Sequence, residues 1–111
     1  MTVSELSTHA DFSALTLPEG EREINGVYIG DLLSWVMGRA KADNAWITIM
    51  SNINVVAVAS LADTACVILA EGATADREVL DTATAKNINI LSTVKDAYST
   101  AVYLNGLLKN E

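Results

Sequence analysis

Four short stretches carry side chains able to hold a ligand: Gly30-Asp31, Ser51 to Asn54, Glu71 to Thr74, and Ser92-Thr93. Their side chains are short, polar and mostly uncharged, a chemistry suited to hydrogen bonding with a small polar or phosphorylated molecule. Gly30, Asp31, Ser51, Asn52, Asn54, Glu71, Gly72, Ser92 and Thr93 are therefore the candidate binding residues. The same residue types also cap helices by accepting from first-turn amides, so capping is the competing use of each stretch. Asp31 reads as the N-cap of the segment that follows it. One cap residue suffices for a helix, and Ser51, Asn52 and Asn54 together exceed that need. Asp31 and Glu71 are the carboxylates nearest these positions, and such a pair does acid–base work only when the two are close together.

Other chemistries find no support. The chain has no GxxxxGK[ST] phosphate loop and no GxGxxG dinucleotide fingerprint. His9 is the single histidine and makes neither a metal site nor a general base by itself. Cys66, the single cysteine, lies in the apolar run CVILA and reads as a small buried hydrophobe in a reducing compartment. No catalytic residue, metal ligand or cofactor is assigned, and a non-enzymatic role is expected. An enzymatic alternative would need Asp31 or Glu71 to act with Ser51 in phosphoryl transfer. The net charge is −7, and the seven Lys and Arg residues are scattered, whereas phosphate backbones are held by clustered basic groups. Nucleic acid and anionic membrane surfaces are thus poor partners. The absence of a long apolar run, and of a leader-like start, points to the cytoplasm.

The elements that must position these residues follow from apolar spacing. A length of 111 residues, half of them hydrophobic, fits one domain with a single core region. Residues 1–20 read as an N-terminal arm, or as a short helix from about Val3 to His9 followed by a strand over FSALTL. Pro18-Glu19-Gly20 marks a turn. From Ile24 onward the chain alternates strand and helix. The strands are Ile24–Gly30, Trp46–Met50, Ala65–Ala70 and Ile88–Leu91. The helices begin after Asp31, near Asn52 or Asn54, after Thr74, and after Ser92 or Thr93. Val55, Val58, Ala59 and Ala62 form a helical stripe, and a dozen residues is what a parallel crossover needs; a Val55–Ala59 hairpin strand is the alternative. The expected architecture is α/β, in two or three layers, with a mostly parallel sheet of about four strands flanked by helices. Trp35, Trp46, Tyr28, Tyr98 and Tyr103 are assigned to the core or to a dimer contact. A domain this small leaves apolar surface that a homodimer would cover.

The run from Ile24 to Gly72, with INGVYIGDLLS, WIT, NVVAVASL and EG, followed by ILST at Ile90 to Thr93, resembles the DRTGG domain family. Members of that family carry a stretch like ITGGYVSDLLS, then WIT, NIVAVASL, EG and a final ILST. The resemblance covers about residues 21–108. It implies an α/β domain that also occurs between the CBS domains of some regulated pyrophosphatases and within some phosphotransacetylases, and that is similar to the N-terminal domain of HPr kinase/phosphorylase. It further implies a regulatory role, with stand-alone copies near genes for iron–iron hydrogenase subunits. Two readings follow. One is a homodimeric regulatory module binding a nucleotide or small phosphorylated metabolite. The other is a protein-interaction subunit of a hydrogenase or other redox complex, without a small ligand and with Glu78 and Asp81 on its acidic surface. The chain departs from the family pattern in having Asn25-Gly26-Val27 at the glycine pair and Ala73-Thr74 where other members often carry a basic residue.

Overall fold

A computed structural model describes residues 1–111. Five helices and five strands follow one another as α1 (Val3–Ser7), β1 (Phe12–Thr16), β2 (Gly26–Ile29), α2 (Leu33–Arg39), β3 (Asn44–Thr48), α3 (Ile53–Ala62), β4 (Cys66–Leu69), α4 (Arg77–Ala85), β5 (Ile90–Thr93) and α5 (Ala97–Lys109). The strands form one sheet in the order β1-β5-β4-β3-β2. β2, β3, β4 and β5 are mutually parallel, and β1 joins the β5 edge antiparallel. The sheet therefore has five strands rather than about four. The extra strand is the N-terminal FSALT segment, whose partner lies at the far end of the chain.

Each crossover from β2 to β5 steps one strand in the same direction, and right-handed crossovers of that kind place their helices on one face. Val36 of α2, Val55 and Ala59 of α3, and Val79 and Ala83 of α4 accordingly share a core with Trp46, Val67 and Ile90. α1 and α5 cover the other face, where Val3, Leu6 and Leu104 meet Ile47, Ile68 and Leu91. The domain thus has three layers, helices over sheet over helices. β3 and β4 are buried on both faces, which explains why WIT and CVIL show no alternation of apolar and polar residues.

The segment after β3 is the helix α3, not a hairpin strand, because β3 pairs with β4 in parallel and needs a crossover. Asn52 caps it, accepting from the Asn54 amide at 2.9 Å. α4 stops at Lys86 with Asn87 in the left-handed region at φ 61°, as its short polar side chain allows. At the N-terminal ends of the parallel strands, Arg22 donates to Asp63 Oδ1 at 3.0 Å and to the Asp63 carbonyl at 2.9 Å. It also pairs with Asp43. Burial alone would lower the Arg22 pKa, but hydrogen bonds and charge from the two aspartates outweigh it, so the guanidinium is held above its usual range. This clamp ties the entry to β2 to the turns that precede β3 and β4.

Candidate functional site

Parallel pairing of β2 to β5 brings their C-terminal ends to one rim, where the polar stretches of the sequence collect. In open α/β sheets this is the end at which ligands bind. The rim contains two hydrogen-bonded clusters.

The first joins β2 to β3. Gly30 extends the ladder by donating to the Ile47 carbonyl at 3.2 Å, and its own carbonyl accepts from Trp46 Nε1 at 2.8 Å. A Cβ at Gly30 would lie 2.9 Å from the Tyr28 ring, so a larger residue there would have to displace that ring. Asp31 is not the N-cap of α2, which starts after Leu32 without a side-chain cap. Instead, Asp31 Oδ1 accepts from Thr48 Oγ1 at 2.7 Å and from the Ile49 amide at 3.1 Å. Thr48 Oγ1 in turn accepts from the Met50 amide at 3.1 Å. Thr48 is only 2% exposed; it is a rim residue the sequence reading missed, and its one signal was a hydroxyl closing an otherwise apolar strand. Half-buried Ser51 and exposed Asn52 follow immediately, with exposed Asn54 in the first turn of α3.

The second cluster joins β4 to β5. Glu71 and Gly72 both have positive φ, 58° and 72°. That tight turn aims the Glu71 amide at the Lys95 carbonyl and the Gly72 amide at the Thr93 carbonyl, each at 2.8 Å. These two donors are therefore consumed within the protein. Here the connections diverge: β4 leads to α4 on one face and β5 to α5 on the other. Thr74 does not cap α4; Asp76 occupies the N-cap position, with no side-chain bond to the first turn. Arg77 in that turn has a side chain 86% exposed. Ser92 and Thr93 do not cap α5 either, because both belong to β5. Thr93 is buried, its hydroxyl accepting from the Lys95 amide at 3.3 Å, and Ser92 lies opposite Ser13 of β1. The cap of α5 is Asp96, which accepts from the Ser99 amide at 2.7 Å; that bond holds its carboxyl below the usual carboxylate range.

The structure thus gathers Gly30, Asp31, Ser51, Asn52 and Asn54 at one part of the rim, and Glu71, Gly72 and Thr93 at the other. The rim offers the side chains of Ser51 and Asn54, the side-chain amide of Asn52, the first turn of α4 and the exposed Arg77 guanidinium, which lies 4.0 Å from Asp81 Oδ1. An anion at a helix N-terminus is favoured by exposed amides and by the dipole. Cys66 is fully buried on the far side of these ends, and burial pushes its thiol up to about 12, so it stays protonated and unreactive. The largest concavity, about 620 Å³, lies elsewhere, between β2 and α5. Trp46 is a core residue, whereas Trp35 and Tyr98 are exposed, at 52% and 76%.

A search of curated proteins finds no match. Among solved structures, the chain is similar to the CBS and DRTGG domains of the regulatory region of Clostridium perfringens pyrophosphatase, crystallised with its activator diadenosine tetraphosphate. The two superpose with a TM-score of 0.62 at 15% sequence identity, over 87% of this chain and 46% of the other. The chain therefore corresponds to less than half of that protein chain, and at this identity the likeness is one of fold. The family model described as the DRTGG domain matches residues 15–107, and the chain belongs to the DRTGG domain family.

Proposed function

We propose that this chain is a non-catalytic regulatory module that homodimerises and binds a nucleotide or small phosphorylated metabolite at the C-terminal rim of its parallel sheet. The observation that carries this reading is the convergence at one rim of neutral polar side chains with the start of α4, whose first turn has no side-chain cap and presents exposed Arg77. Membership of the DRTGG family supports a regulatory role, and the similar pyrophosphatase region is one that was crystallised with a nucleotide activator. Asp31 spends an oxygen on Thr48 and Ile49, a use that fits shaping the rim rather than moving protons.

Thermal unfolding in the presence of ATP, AMP, diadenosine tetraphosphate and a panel of sugar phosphates tests the ligand half. Ligand at a hundredfold excess over Kd stabilises the folded state by about 2.7 kcal/mol, which raises Tm by about ten degrees in a domain of this size. At least one compound is expected to do so, with the effect reduced by Arg77→Ala. A flat response across the panel would remove the ligand from the proposal. It would shift weight to the protein-interaction reading, for which α4 offers exposed Glu78 and Asp81. That reading requires a partner retained in pull-downs and lost on reversing those two charges.

A further inference from the structure

The two edges of the sheet are treated differently. An exposed edge strand is a template for pairing with another chain, and proteins blunt such edges with bulges, prolines or charges. The β1 edge is blunted: its register with β5 shifts between Ala14 and Thr16. There the Thr16 hydroxyl accepts from the Ile90 amide at 2.9 Å and donates to the Ile88 carbonyl at 2.8 Å. Pro18 follows at once. The β2 edge has none of these devices. Its sequence, Gly26-Val27-Tyr28-Ile29, contains no charge and no proline, and its register with β3 runs unbroken from Gly26 to Ile29.

Beside that open edge lies the groove of about 620 Å³, walled by Val27 and Ile29 on β2 and by Ala101, Asn105, Leu108 and Lys109 on α5. Tyr98, Val102, Asn105 and Lys109 recur at intervals of four, three and four residues and so share one side of α5. Asn105 and Lys109 line the groove, so this side faces the β2 edge. Val102 is 52% exposed, Ile29 48% and Tyr98 76%, so large apolar side chains stand in water on this side of α5 and at the end of the open edge.

Resting on the homodimer reading above, we propose that the partner at this surface is a second copy of the chain: β2 pairs antiparallel with its counterpart, and the two α5 helices pack side by side over the extended sheet. A two-fold axis perpendicular to the sheet keeps α5 of both copies on the same face, so one operation covers the strand edge, the groove and the Val102 stripe together. A lone extended peptide would cover β2 and leave the α5 stripe in water. Charge agrees with self-pairing. The chain carries −7 overall, yet the groove is lined by no carboxylate and by one cation, Lys109. Antiparallel α5 helices also turn the Lys109 end of each toward the Asp96 end of the other.

Sedimentation velocity on the full chain over a wide concentration range tests this, with Ile29→Lys and Val102→Asp as variants at half-exposed positions whose folding is checked by circular dichroism. The wild type is expected to dimerise, and each folded variant to lose affinity by about tenfold or more, about 1.4 kcal/mol at least. If Ile29→Lys does not fold, Val102→Asp alone decides. A wild-type dimer undiminished in both variants would overturn the β2–α5 interface while leaving homodimerisation standing. A wild type that stays monomeric at every concentration would overturn both.

Discussion

Asn89 is 1% exposed and makes three hydrogen bonds: Nδ2 donates to the Glu19 carbonyl at 2.8 Å and to the Ala65 carbonyl at 2.9 Å, and Oδ1 accepts from the Glu19 amide at 2.9 Å. One side chain thereby pins the Pro18–Gly20 turn to the starts of β4 and β5. Asn89→Ala leaves those groups without partners and is expected to cost about 2–3 kcal/mol, read as a lower urea midpoint at unchanged slope; a loss below about 0.5 kcal/mol would contradict that role. Neither this residue nor the Asp31–Thr48 bond was legible in the sequence. An aspartate before LLSWVM reads as a cap because capping is a local pattern. Its actual partner is on a neighbouring strand, and the order of strands is not a local property. The Glu71-Gly72 turn illustrates the same gap: both residues were singled out as candidate binding residues, but their amides donate to the Lys95 and Thr93 carbonyls.

At the scale of elements the sequence was far more legible, because apolar spacing reports directly on which face is buried. The stripe Val55, Val58, Ala59 gave α3, and the unbroken runs WIT and CVIL gave two central strands. Helix starts were misplaced by two residues at α4 and by three or four at α5. Several Ser, Thr and Asp residues precede each, and which one caps depends on where the preceding strand ends. One helix also carries a removable weakness. Gly106 lies within α5, is exposed, and a Cβ there would meet nothing within 4 Å. Gly106→Ala is expected to stabilise the domain by about 0.5–1 kcal/mol, since glycine loses more backbone freedom on entering a helix. Thermal unfolding that shows a loss of stability would mean that α5 is packed differently from this description.

For the molecule as a whole, strand–helix alternation was enough to call for a mostly parallel α/β sheet. The fifth strand was not counted, because β1 pairs antiparallel with β5 across nearly the whole length of the chain. The resulting topology has two consequences for function. It sends α4 and α5 to opposite faces, so their connections part at the rim, and it leaves β2 as an open edge beside the groove of about 620 Å³. A small molecule is therefore expected at the rim, with the groove left to the second copy of the chain. The central claim is that a phosphorylated ligand binds at the rim, and amide chemical-shift mapping of the isotope-labelled chain during titration with ATP tests it most directly. Shifts concentrated at Asp31, at Thr48 to Asn54 and in the first turn of α4 are the expected result. Saturating shifts confined to Val27, Ile29, Ala101 and Leu108, or no saturable shifts at all, would contradict it.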